Sequence, residues 1–273
     1  MCDEDIHPGT LNYDAAVSRR FFNVAALAAA GLAGGAAYAA DAALFYPDGK
    51  GSWPGVVIWT DIFGLRPAFR DMAKRLAGQG YVVLVHNPFY RVARAPIPDP
   101  KLDFSKPEDR AKIMDPNNRK GMDAPGVDRD AVALIKFLDA QPQTNRAKGV
   151  GVQGYCMGGP LAFRTAAAVP ERVRALGSFH GGGLVSSNLD SPHLLVPKMR
   201  VQAICAVAQN DDASRPTDKD TLKEAFAKAR VPATVEVYKA DHGWCVPGGG
   251  TYNEAEAERA WAALTALYKK ALA

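Results

Sequence analysis

Val150-Gly151-Val152-Gln153-Gly154-Tyr155-Cys156-Met157-Gly158-Gly159 is the stretch on which the fold turns. Val150–Gln153 reads as a buried strand and Met157–Val169 as the helix after it, with a G-x-C-x-G between them. In a nucleophile elbow the central residue sits on a very tight strand-to-helix turn. Side chains two before and two after it would strike neighbouring backbone, so glycine is expected at Gly154 and Gly158. The turn holds the Cys156 sulfur above the end of a sheet and at a helix N-terminus, where the dipole favours a thiolate. The N–H of Met157 then points to where an oxyanion would form. With 25 glycines in 273 residues, two glycines so placed around one of four cysteines arise by chance roughly once in 30. The strand before and the helix after therefore carry the specificity. The alternative is a buried cysteine in a glycine-rich turn.

Outward from the elbow, short apolar runs alternate with helical stretches. Gly55–Thr60, Tyr81–His86, Ala175–Phe179, Val201–Val207 and Thr234–Tyr238 read as strands. Residues 67–78, 127–140, 217–230 and 254–272 read as helices, the first with Pro67 in its first turn and Gly78 at its end. This alternation specifies an α/β class with a mostly parallel sheet covered on both faces. Functional residues are then expected in loops beyond the carboxyl ends of the strands. One such excursion, Asn87–Pro125, carries seven prolines and no apolar periodicity. It reads as a structureless insertion, either a lid or pocket wall or a variable surface segment.

A thiol nucleophile needs a base, and the base needs an orienting group. His242 lies in Lys239-Ala240-Asp241-His242-Gly243-Trp244, just after the Thr234–Tyr238 strand. The preceding strand, Val201–Val207, runs into Asn210-Asp211-Asp212. Spacing does not separate the two aspartates; Asp211 is preferred as the acid, with the other facing solvent. Asp241 reads as a turn residue. His86 and His180 close strands and either line the pocket or cap it, with a pocket role favoured for His180 ahead of its glycine run. His193 reads as surface. No set of His, Cys and carboxylates has metal-ligand spacing, so no metal is expected.

Composition is that of an ordinary globular chain, 48% hydrophobic and 23% charged, and 273 residues are compatible with one α/β domain. The net charge of +4 is spread along the chain, with no basic tract interleaved with aromatics, which gives nucleic-acid binding no support. Residues 1–39 stand apart. Arg19-Arg20 precede an uncharged Ala- and Gly-rich run that ends in Ala37-Tyr38-Ala39. That pattern is read as a cleavable signal of the twin-arginine type, directing residues 40–273 to the periplasm. A membrane anchor is the alternative, with membrane contact only if the signal stays on, but alanine contributes little to insertion. Cys156, Cys205 and Cys245 remain after the signal, an odd number that implies at least one free thiol.

The residues now in place resemble the dienelactone hydrolase family. The likeness runs from Trp53-Pro54-Gly55-Val56-Val57 to His242, and its most specific pieces are Asp61-Ile62-Phe63-Gly64-Leu65, Asn87-Pro88-Phe89-Tyr90-Arg91, the Cys156 elbow and Asp241-His242-Gly243. The resemblance implies an α/β-hydrolase fold, a Cys-His-Asp triad in the order Cys156, Asp211, His242, and hydrolysis of enol lactones such as carboxymethylenebutenolide without a cofactor. It implies that Ile62 and Met157 supply the oxyanion N–H groups. It implies that Arg91 binds a substrate carboxylate and that Asp61 stands where the family commonly has a glutamate contacting the resting thiol. A second family arginine, four residues after the histidine, is Val246 here. One arginine lacks a two-point clamp, so the substrate need not be dienelactone itself. The expected partner is a small anionic ester or lactone, and the expected state is a monomer. Two other classes stay open, a thiol redox protein using Cys156 and a weakly catalytic binding protein on a hydrolase scaffold.

Overall fold

The computed structural model describes residues 11–13, 42–92, 95, 98–99 and 101–273. Apart from 11–13, the stretch read as an export signal lies outside the described residues. Eight strands form one sheet: β1 (Leu11–Tyr13), β2 (Ala42–Pro47), β3 (Gly55–Trp59), β4 (Val82–His86), β5 (Val150–Tyr155), β6 (Val173–Phe179), β7 (Gln202–Ala208) and β8 (Ala233–Tyr238). Their spatial order is β1-β2-β4-β3-β5-β6-β7-β8. Only the β1–β2 and β2–β4 pairs are antiparallel; from β4 to β8 every pairing is parallel.

The helices are α1 (Pro67–Ala77), α2 (Pro107–Ile113), α3 (Ala124–Asp139), α4 (Gly158–Ala168), α5 (Gln209–Ser214), α6 (Asp218–Ala229) and α7 (Glu254–Ala271). The two-residue period of the strands sorts side chains between two cores. Val57 and Trp59 of β3 pack with Leu134, Phe163 and Phe226 of α3, α4 and α6. Val56 and Ile58 pack with Phe69, Leu76, Trp261 and Leu264 of α1 and α7. Both faces are covered, which is why β3 and β4 read as unbroken apolar runs rather than alternating ones.

Gln153 is the exception in a buried strand, and each of its two side-chain polar atoms has a partner. Its amide donates to Tyr155 Oη at 2.8 Å and its carbonyl accepts from Tyr268 Oη at 2.8 Å. Gly151 leaves the space that Tyr268 occupies; a Cβ there would lie 2.8 Å from that ring. This buried polar chain clamps α7 to the strand carrying the elbow. On the other face, Trp59 Nε1 donates to Thr165 Oγ1 at 2.9 Å, tying β3 to α4.

The excursion after β4 is not structureless, contrary to its reading from sequence. It contains α2, which starts at Pro107 after an extended Lys106, and a 3-10 turn at Pro116–Arg119 capped by Asp115. Ile113 is buried, and Phe104 meets Phe63 edge-on at 6.1 Å. A seven-residue helix with one buried apolar residue shows no periodicity to read.

Candidate active site

Strand order alone marks the place. From β3 the chain moves to β4 on one side and later returns to β5 on the other. The loops leaving β3 and β5 therefore flank a crevice at the switch point of the sheet. Residues 60–65 follow β3 there, and Cys156 follows β5.

Cys156 has φ of 52°, a left-handed conformation unusual for a residue with a side chain. Its neighbours hold it there. The Cys156 N–H donates to Phe179 O at 3.1 Å, and its carbonyl accepts from the N–H groups of Gly159 and Gly182 at 3.0 and 3.2 Å. A Cβ on Gly154 would collide with the Gly158 backbone, and one on Gly158 with the carbonyls of Trp59 and Thr60. The G-x-C-x-G spacing thus has the expected steric cause, and it presses the loop bearing Ile62 against the elbow. Strain of this kind persists only where surrounding packing over-determines it.

His242 follows β8, and its Nδ1 lies 2.7 Å from Asp211 Oδ2. Asp212 turns away to accept from Lys219 Nζ at 2.7 Å, so packing separates two aspartates that spacing does not. Asp211 sits on a short helix, α5, rather than in a loop, and that helix grips the histidine segment at two further points. Asn210 Oδ1 accepts from the His242 N–H at 2.9 Å, and Gln209 Nε2 donates to Asp241 Oδ1 at 3.0 Å. Thr251 Oγ1 donates to His242 O at 2.8 Å. None of Gln209, Asn210 and Thr251 was marked from sequence, because an amide or hydroxyl in a loop has no pattern of its own. Burial opposes charge on the His242 ring, but the hydrogen bond to Asp211, the nearby Cys156 sulfur and the Asp211 charge outweigh it and raise the imidazole to about 10.

His180 is buried with φ of 39°. Its ring lies 4.7 Å from that of His242 and meets Trp244 edge-on at 5.2 Å. Burial and the His242 charge push it well below the usual histidine value. It is a buried wall beside the His242 ring. His86 is buried against Trp59 and Tyr90 and lowered to about 4, mainly by burial. His193 is half-buried, with Nδ1 at 2.8 Å from Ser191 Oγ.

Asp61 and Arg91 are both held by ion pairs. Arg66 grips Asp61 through two bonds of 2.6 and 2.7 Å, and Asp61 also accepts from the Phe63 N–H at 2.9 Å. Arg91 is bound by both oxygens of buried Asp130 at 2.7 and 2.6 Å and lies over the Tyr90 ring. Val246 is buried. Among the described residues no group of three His, Cys, Asp or Glu side chains is placed to hold a metal ion, and no helix is long and apolar enough to cross a membrane.

The dienelactone hydrolase family pattern matches residues 40–272. The chain belongs to the dienelactone hydrolase family. It is 30% identical over 177 residues to carboxymethylenebutenolidase 1 of Cupriavidus pinatubonensis, covering 65% of this chain and 69% of that one. It is 34% identical over 125 residues to the carboxymethylenebutenolidase of Rhodococcus opacus, covering 46% and 43%. Its fold superposes on a dienelactone hydrolase-like promiscuous phosphotriesterase from metagenomic libraries with a TM-score of 0.70 at 20% identity, covering 97% of this chain and 100% of that one. The protein is thus a carboxymethylenebutenolidase-like hydrolase acting on esters or lactones, built on the α/β-hydrolase fold.

Proposed function

We propose that this hydrolase is cysteine-dependent and opens small lactones, of the carboxymethylenebutenolide type, or cleaves small anionic esters. The observation that carries the reading is His242, bonded to Asp211 at 2.7 Å and set close enough to the Cys156 elbow for the sulfur to influence its ring. In the proposed cycle the Cys156 thiolate attacks the carbonyl carbon, and the N–H groups of Ile62 and Met157 receive the oxyanion. Collapse breaks the C–O bond, the His242 imidazolium gives its proton to the leaving oxygen, and a thioester remains. In a lactone the leaving oxygen stays on the acyl chain. The neutral imidazole left after protonating the leaving group is then the base that takes a proton from water. Attack of that water regenerates the thiolate and releases the acid. No cofactor enters. His180 bounds the pocket, and Asp61, fixed by Arg66, shapes the loop carrying Ile62.

The test is hydrolysis of dienelactone and a panel of aryl esters by purified Cys156→Ala beside wild type. A drop of roughly 10³-fold or more is expected; retained turnover would refute cysteine dependence and leave the redox or binding alternatives.

We also infer that residues 1–39 direct the chain through the twin-arginine route to the periplasm. The Arg19-Arg20 pair, the alanine-rich run and a family match beginning at residue 40 support this. Fractionation of cells making the full chain should find a shortened protein in the periplasm; uncut protein in the cytoplasm would end the proposal.

A further inference from the structure

The arginine that the family resemblance assigns to a substrate carboxylate is already saturated by one from its own chain, Asp130. Another arginine is better placed to meet an anion. A cleft of about 430 Å³ lies against the elbow, lined by Met157 and Leu161 from the start of α4, Arg119 and Met122 from the excursion, and Ser186 and Asn188 from the loop after β6. Met157 follows Cys156 in the chain and is the residue whose N–H is assigned to the oxyanion, so the cleft borders the elbow.

Four charged side chains line this cleft, Arg119, Asp123, Arg164 and Asp190, and one of them is ion-paired. Arg164 is held by both oxygens of Asp128 at 3.0 and 2.8 Å. Asp123 caps α3 by accepting from the Gly126 N–H at 3.2 Å. Asp190 is exposed at the rim, where solvent screens it. Arg119 is different. It is half-buried, its Nε is buried with no hydrogen-bond partner among the described residues, and its one described side-chain hydrogen bond is from Nη2 to the Met114 sulfur at 3.3 Å. A buried guanidinium N–H without an acceptor is a standing demand for an anion, and the planar fork fits a carboxylate.

We propose that this cleft is the subsite for the carboxylate-bearing arm of the substrate, and that Arg119, not Arg91, receives that carboxylate. Apolar Met122, Met157 and Leu161 hold the carbon chain between the carboxylate and the reacting carbonyl. Arg91, locked to Asp130, instead fastens the base of the excursion to α3. The inference rests on the hydrolase reading for its substrate, but the anion site is measurable without turnover.

The experiment compares wild type with Arg119→Met, Arg119→Lys and Arg91→Met. The substrates are 4-nitrophenyl butyrate, 4-nitrophenyl hemiglutarate (anion on the acyl arm) and 3-carboxyphenyl butyrate (anion on the leaving arm). Arg119→Met should lower the ratio of kcat/KM for one anionic ester over neutral butyrate at least tenfold, and Arg119→Lys should restore part of it. Calorimetric binding of glutarate to Cys156→Ala protein should weaken at least tenfold when Arg119→Met is added, whether or not the hydrolase reading survives. Unchanged ratios and unchanged glutarate affinity in the Arg119→Met background would overturn the proposal. So would a loss of anion preference confined to Arg91→Met.

Discussion

Two carboxylate–cation pairs stand at the active-site end of this sheet, and they differ in every property except length. Asp211–His242 joins side chains that are 37% and 31% exposed through one bond of 2.7 Å. Asp130–Arg91 joins a carboxylate only 5% exposed to a guanidinium 18% exposed through two bonds, with Tyr90 Oη donating to the same carboxylate at 2.7 Å. In the first pair the cation titrates. In the second it does not, because Asp130 outweighs burial and holds the guanidinium above its already high value. A proton carrier has to sit where its charge can change at modest cost, whereas a fastening is best where charge is fixed and geometry bidentate. The first pair is placed for chemistry, and the second ties a long excursion to the body of the fold.

Substitution can break this contrast, and the largest expected effect is catalytic. Asp211→Asn should lower kcat for ester hydrolysis by roughly 10² to 10⁴-fold, since an amide favours the wrong tautomer of the histidine. It should change unfolding free energy by no more than about 1 kcal/mol, as befits a half-exposed pair. The same variant should alter the pH dependence of stability. His242 is raised from an ordinary 6.5 to about 10, so its contribution is fully present below pH 6.5 and is lost as pH rises through 10. Urea titrations between those limits should show a decline in wild type that is shallower in Asp211→Asn; an equal slope would mean that Asp211 does not hold the proton on the ring.

Asp130→Asn should show the reverse balance. It strands a mostly buried guanidinium, and removing one partner of such a pair costs about 3 kcal/mol. Its effect should therefore appear in the urea midpoint, with the residual activity per folded molecule within roughly tenfold of wild type. A variant of normal stability with collapsed activity would instead place Arg91 in substrate binding, against the fastening role given to it here.

Much of this molecule was legible in the chain because the causes fix a residue type at a given position. Glycines at 154 and 158 are required by contacts within a few residues of Cys156 and with the adjoining strand, so steric demand leaves a spacing that can be read directly. The apolar runs at residues 55–60 and 81–86 announce strands buried on both faces, and the alternation with helices announces a parallel sheet. The sequence also contained Cys156, the Asp211–Asp212 pair and His242 in the order the fold uses.

Tertiary packing decided the rest, because it depends on partners distant in sequence. Lys219 draws off Asp212 and leaves Asp211 for the histidine. Arg66 and Asp130 occupy two side chains that the resemblance assigns to thiol and substrate. Gln209 and Asn210 brace Asp241 and His242, each from 32 residues away. Arg119, in a stretch with no periodicity, reaches the cleft beside Met157 only because the excursion folds back over α4. A backbone clash that only glycine avoids writes itself into the order of residues, wherever the clashing atom lies. Charge pairing and burial act through space, and only the folded chain determines which of several chemically equal side chains will meet.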